Sequence, residues 1–310
     1  MSKYFKDKIN KQLLIGVVFC VLGCTIFAAT DQFIIDLQNI GTSTIYLVIA
    51  RYQISLPVCA GIILLKYRRT FVQLIKDKKN LIRLLVYAII VVIPQAWLYG
   101  QTMLYSDAPM TFIIDKVSVM LIIAYVCFRK RRKPHKSEIL GIVLCFAGLT
   151  LILTQGFTQL SLKISGIALI YGTFLIFIQA LAFILPENLQ KTYPLLFVIC
   201  LAISVCSVIS LPFVQVWNPP VIFSTINFLE VGFIGIVGFL LGFYLFNSSI
   251  SMLGSFKSSI ISTIQLPITA VMSMLLGFCS ISIWDVIGGI VIVVMIIVTS
   301  KPEKTCKSNT

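Results

Sequence analysis

Charge is scarce in this chain. Only 12% of its 310 residues are charged, and 11 of them are acidic. A soluble domain carries roughly 25% charged residues, so this chain has too little polar surface to cover itself in water. Histidine is nearly absent. The single one, His135, stands among basic residues without a ligand-spaced partner, which argues against a metal site. Nine cysteines include no Cys-x-x-Cys spacing, so neither a thiol redox pair nor a zinc knuckle is expected. Most of them, Cys20, Cys24, Cys59, Cys127, Cys145, Cys200 and Cys206, lie in apolar stretches and read as small apolar residues; Cys279 is near a stretch end and Cys306 is in the tail. Gly-rich phosphate loops and nucleophile elbows are missing too, which argues against an ATP-driven pump and a hydrolase. With no His/Asp/Glu cluster near an interface, no enzyme activity and no cofactor are expected.

Hydrophobic residues are what the chain has, at 58%, with a mean hydropathy of +1.01. They fall into ten stretches separated by polar joints. These are Leu13–Ile34, Ser43–Leu65, Leu81–Thr102, Ala108–Phe128 and Ile139–Thr154, then Leu162–Leu185, Leu195–Val216, Phe228–Ile250, Ser255–Phe278 and Ile283–Thr299. A helix needs about 20 apolar residues to cross about 30 Å of hydrocarbon. Backbone groups find no water there, so the stretches must be helices, and the alternation of a membrane barrel is missing. The expected fold is an all-α membrane protein with ten transmembrane helices. The first stretch is too long for a signal-peptide core and reads as a retained helix.

The net charge of +14 is not a nucleic-acid signature. All of the 25 basic residues except Lys163, Arg51 and Lys116 fall at one side of a ten-span topology, in the N-terminal segment, the even-numbered joints and the tail. The positive-inside rule then puts both termini in the cytoplasm. Such runs serve topology and lipid headgroups, and they lack the interleaved aromatics of single-strand binding.

The chain repeats itself. Glu138-Ile-Leu-Gly141 opens one apolar run and Asp285-Val-Ile-Gly288 opens another, at an offset of 147 residues. Span four carries Thr111, Asp115 and Ser118 on one helical face. The same offset leads to Ser258, Ser262 and Gln265 in span nine, a polar stripe extended by Ser255 and Thr269. The expected division is 1–154 and 155–300 as two five-helix repeats, with 301–310 a cytoplasmic tail. An odd number of spans per repeat inverts the second relative to the first, the plan of many secondary transporters.

Four charges stand inside the spans. A charge at the bilayer centre costs about 2.5–3.5 kcal/mol on insertion scales, so each needs a reason. Asp31 is near the outer end of span one. Arg51, Asp115 and Lys116 lie seven or eight residues into their spans, about 10–12 Å deep by helix rise. Helical neighbours point about 100° apart, so Asp115 and Lys116 do not both face one point well. Arg51–Asp115 and Asp31–Lys116 are the candidate pairings. The set serves either as architectural ion pairs or as a polar cavity for a charged or zwitterionic solute, with Asp115 able to relay a proton. Span three adds Gln95 and Tyr99 on one face, with Trp97 and Gln101 on another. Pro94 there, and Pro267 beside Gln265, each free a carbonyl and predict a break that lines a cavity. Tyr171 and Gln179 are weaker candidates. Gly235, Gly238 and Gly242 read as packing residues, and Glu187 and Glu230 as solvated.

Together these features resemble the EamA-type branch of the drug/metabolite transporter superfamily over essentially the whole chain. The resemblance is carried by Tyr105-Ser-Asp-Ala108 at the entry to span four and by Arg51 in span two. It is carried also by Gln265-Leu-Pro267, Leu276-Gly277 and Trp284-Asp-Val-Ile-Gly288 in the second half. Ser118-Val119 stands where that family often has Ser-Pro. The resemblance implies a carrier in the cytoplasmic membrane, bacterial by composition, that moves a small organic metabolite or drug by alternating access, often as exporter with proton exchange. Candidate site residues are Asp31, Arg51, Gln95, Tyr99, Asp115, Lys116 and Gln265. The expected partners are a small-molecule substrate, the lipid bilayer and protons, with no nucleic acid; monomer and homodimer fit equally. The rival readings are a carrier of lipid-linked intermediates, which needs a side opening, and a non-transporting sensor or scaffold.

Overall fold

The computed structural model describes residues 3–105, 108–129, 131, 133–154, 165–190, 192–213, 219, 223–275 and 282–300. Ser106, Asp107, Lys163, Leu276, Gly277, Cys279 and the tail from 301 lie outside them. Among the described residues every regular element is a helix. In the first half these are α1 (Lys3–Asn39), α2 (Thr44–Lys66), α3 (Arg68–Lys76), α4 (Lys78–Val86), α5 (Ile93–Tyr105), α6 (Ala108–Arg129) and α7 (Lys136–Leu153). In the second they are α8 (Gly166–Gln190), α9 (Leu195–Ser210), α10 (Thr225–Phe233), α11 (Phe243–Leu253), α12 (Ser255–Ile261), α13 (Gln265–Leu275) and α14 (Ile283–Ser300). Among the described residues, five continuous segments are long and apolar enough to cross a membrane: Gln12–Asn39, Thr44–Lys66, Lys78–Thr102, Gly166–Leu185 and Thr225–Leu253. Their outward faces carry exposed Leu64, Ile90, Phe174 and Leu241, an apolar exterior suited to lipid.

The basic joint after α2 is itself helical. In α3, Leu74 is buried while Arg68, Arg69 and Lys76 face outward, so the segment is amphipathic rather than a loop.

Both predicted helix breaks occur, in different forms. A π-helical stretch, Tyr87–Val92, directly precedes α5 and Pro94. Its loosened carbonyls take side-chain donors: Tyr52 Oη donates to the Val92 carbonyl at 3.0 Å and Cys206 Sγ to that of Ala88 at 3.5 Å. At Pro267 the helix tightens instead into a 3-10 turn, Ser262–Ile264, between α12 and α13. A second π stretch, Ile234–Gly242, joins α10 to α11 around the glycines. Ser55 Oγ donates to the Gly235 carbonyl there at 2.7 Å. Rings of this kind are costly unless the exposed backbone groups are satisfied, which these contacts do.

The 147-residue offset reappears in the backbone. It separates the starts of α4 and α10, of the two π stretches, of α6 and α12, and of α7 and α14. It also separates the caps. Asp77 and Ser224 accept the backbone N–H groups of Asn80 and Asn227. Glu138 accepts the N–H of His135 at 2.7 Å and Asp285 that of Ser282 at 2.8 Å. The acid of the repeated sequence motif is therefore a helix cap, closing orphan donors at the helix start. Gly254, with φ +84°, supplies the left-handed turn between α11 and α12.

Packing follows the same exchange. The most extensive helix pairs are α7 with α14, α2 with α9, α1 with α11, α5 with α8, α6 with α8, and α1 with α13. Swapping the halves sends the first two onto themselves. It sends α1–α11 onto α8–α5 and α6–α8 onto α13–α1. Close approach between α1 and the π stretch that leads into α11 is made by the predicted glycine stripe: a methyl group at Gly238 would overlap Thr30, and one at Gly242 would press on Ile26 and Phe27. Gly148 and Gly288 bring α7 and α14 together in the same way.

Candidate functional site

The helices enclose a cavity of about 190 Å³ between the halves. Asp31, Arg51, Gln95, Tyr99, Asp115, Lys116 and Gln265 all line it. Five different helices supply them, so the fold collects residues that are up to 234 positions apart. A smaller chamber of about 100 Å³ shares Asp31, Arg51 and Tyr99 and runs to Gln38 and Thr44, beside the α1–α2 joint.

The charges pair differently from the sequence expectation. Lys116 Nζ lies 2.9 Å from Asp115 Oδ2, on its own helix. It also donates to Ser262 Oγ at 3.2 Å on the facing 3-10 turn. Neither Arg51–Asp115 nor Asp31–Lys116 is a salt bridge among the described residues. The helical-wheel argument fails because the lysine stem is long enough to swing back over the 100° between neighbours. Burial then favours the short contact: Asp115 and Lys116 are 4% and 5% exposed. This pair is neutral as a unit, while Asp115 Oδ1 has no hydrogen-bond partner.

Asp31 and Arg51 carry the other two charges. Gln265 Nε2 donates to Asp31 Oδ2 at 2.8 Å, joining α1 to the start of α13. The Arg51 guanidinium is held by aromatic faces, 5.2 Å from the Tyr52 ring centre and 4.9 Å from that of Phe239. Its Nη2 reaches Tyr52 Oη at 3.5 Å, and its Nε is buried without a partner. A desolvated guanidinium over two rings is oriented rather than neutralised. The cavity thus offers one cation and one anion, each with hydrogen-bonding capacity left.

Gln95 Nε2 donates to Gln179 Oε1 at 2.6 Å across α5 and α8. Gln179 belongs in the cavity wall, whereas Tyr171 does not: it packs outside against Trp97, ring centres 5.7 Å apart. Much of the remaining wall is aromatic, from Phe27, Phe183, Phe239, Phe243 and Phe246, with Ile34, Val92 and Ile234 beside them. Nothing in the sequence separates these phenylalanines from ordinary core ones. Ser262, part of the polar stripe of span nine, is the lysine's second partner.

An all-helical chain with an apolar exterior and a buried charged cavity between two like halves is a membrane transporter in its build. The comparisons agree. The EamA-like transporter family matches residues 14–154 and again residues 165–301, and the chain belongs to that family. A curated relative, the uncharacterized inner membrane transporter YicL of Salmonella typhimurium, is 25% identical over 228 residues, 74% of this chain and 76% of that protein. A solved crystal structure superposes with a TM-score of 0.69 at 14% identity, covering 93% of this chain and 96% of the other, a likeness of fold.

Proposed function

We propose that the protein is a secondary active transporter that moves a small zwitterionic organic solute across the cytoplasmic membrane by alternating access. The observation that carries this reading is the cavity, in which Arg51 and Asp31 keep unspent hydrogen-bonding capacity between walls of phenylalanine. A solute carboxylate or phosphate would meet Arg51, and an ammonium group Asp31. The reading takes the chain as ten spans in two inverted five-helix repeats, 1–154 and 155–300, with both termini cytoplasmic. The repeated offsets and the exchange-symmetric packing support that plan. Export in exchange for protons is supported by the family resemblance, with Asp115 and Lys116 as the relay.

The test is a thermal-shift screen of purified protein against amino acids, betaines, phosphocholine compounds, nucleosides and organic cations. A ligand at 100 times its Kd adds about 2.7 kcal/mol of stability. A zwitterion is expected to raise the midpoint in wild type and not in Arg51→Ala or Asp31→Asn, and to be carried into proteoliposomes. A shift that survives both substitutions removes these two residues from the site.

A further inference from the structure

The two seams that exchange when the halves are swapped are built differently. Between α1 and the π stretch that leads into α11, Gly238 and Gly242 let the backbones close on Thr30, Ile26 and Phe27. At α5–α8 the equivalent positions, 147 residues earlier, hold Val91 and Gln95. Side chains stand there in place of glycine, and the Gln95–Gln179 hydrogen bond crosses the seam. Both glutamines line the charged cavity. Their chain neighbours Pro94 and Ile178 line an apolar groove of about 500 Å³ on the outer surface of the same seam, with Trp97, Tyr171 and Phe174. The neutral amide pair thus lies on the cavity side of the seam whose outer side is the groove. The π stretch ends at Val92 and Pro94 donates no backbone hydrogen bond, so the helical ladder changes just before Gln95 and the wall there is the easier one to part.

We propose that the α5–α8 seam is a lateral portal, and that the solute is a single-chain zwitterionic amphiphile. Its headgroup sits between Arg51 and Asp31, and its alkyl chain passes Gln95 and Gln179 into the groove. This rests on the reading of the central cavity given above. The charge pattern fixes the occupant: one cation and one anion face a zwitterionic head, and the groove beyond the glutamines is apolar. A cavity of about 190 Å³ suits the head alone, so a long chain has to leave through a wall.

The test uses the full chain in phosphatidylglycerol nanodiscs with two lysophosphatidylcholines, one carrying a diazirine at the chain terminus to report on the groove and one carrying it beside the ester carbonyl to report on the cavity. Irradiation is expected to label Trp97 or Phe174 in the groove and Phe183 in the cavity. Excess unlabelled lysophosphatidylcholine should reduce that labelling at least fivefold. In a Gln95→Cys/Gln179→Cys variant, bridging the seam with a short bifunctional methanethiosulfonate should abolish cavity labelling, and reduction should restore it; wild type given the same treatment should label normally. Groove labelling alone, indifferent to competitor and to bridging, is a bilayer chain only and overturns the portal. Glycerophosphocholine, the head without a tail, separates the two readings. If it stabilises wild type but not Arg51→Ala while the amphiphile never reaches Phe183, the portal falls and the cavity reading stands. If neither compound binds, both fall.

Discussion

Asp31, Arg51, Asp115 and Lys116 all stand in the first half of the chain. The positions 147 residues further on hold Ile178, Val198, Ser262 and Thr263. The halves share helix starts, π stretches and caps, yet among the described residues the charges of the cavity all come from the first. The cap before the third helical segment repeats the difference, since Asp77 in the first half corresponds to Ser224 in the second. Backbone symmetry is kept because each half must bury the same hydrogen-bonding groups against the other. Chemistry is not kept, and a charge of the first half that faces a hydroxyl or an amide of the second finds a neutral hydrogen-bond partner there. Lys116 with Ser262, and Asp31 with Gln265, are such cross-half contacts.

The sharpest way to break the comparison is at Asp115. Asp115→Asn leaves the Lys116 ammonium buried without its counter-charge, and removing one partner of a buried pair costs about 3–5 kcal/mol. The thermal midpoint in detergent should fall accordingly, and the double change Asp115→Asn/Lys116→Met should recover most of it. A double variant no more stable than the single one would mean that the pair is not coupled. In transport, Asp115→Asn should lose more than Glu187→Gln.

A smaller loss is expected at the glycine seam. Gly238→Ala drives a methyl group into Thr30 and should cost about 1–3 kcal/mol through overpacking. Gly232→Ala, where the added carbon meets nothing within 4 Å, serves as its control and should be near neutral or stabilising. Equal midpoints for the two would show that α1 and the π stretch before α11 do not approach as closely as described.

Ser262→Ala tests the second-half counterpart of Asp115. It removes one hydrogen bond to a charged amine while the salt bridge remains, so about 1–2 kcal/mol should be lost. A loss as large as that of Asp115→Asn would make the serine, not the carboxylate, the main partner of Lys116.

The smallest effect is expected at the caps. Hydrogen bonds from the Asn80 side chain and backbone, with a further one from Tyr193, hold the Asp77 carboxyl below its ordinary value of 3.8. The folded state thus favours the ionised form. Its contribution is complete above that value and fades as pH falls through it. Asp77→Asn should lower the midpoint slightly at pH 7, with a smaller difference at pH 3. Ser224→Ala should lose a similar amount at both pH values, because a hydroxyl does not titrate there.

Much of this was legible beforehand. Periodicity and span length gave the helices at Thr44–Lys66 and Lys78–Thr102 to within a few residues. Pro94 and Pro267 marked the two breaks, and the Glu138/Asp285 pair marked the repeat. The charged positions were legible as well, because a charge in an apolar run is conspicuous. Their partners were not. Lys116 reaching back to Asp115 depends on a rotamer, and a helical wheel holds no rotamers. The phenylalanine wall was hidden for the opposite reason: in a chain with 22 phenylalanines, lining a cavity and filling a core call for the same residue.

The sequence by itself determined that this protein lives in lipid, folds as helices and repeats at an interval of 147, since hydropathy and periodicity are properties of local runs. Only the tertiary structure decided that seven scattered polar residues share one cavity. It alone decided that Asp115 serves Lys116, and that one seam closes on glycine while its counterpart is crossed by an amide pair. Those outcomes depend on which helix faces which and at what distance, and side-chain reach is settled only when the helices pack.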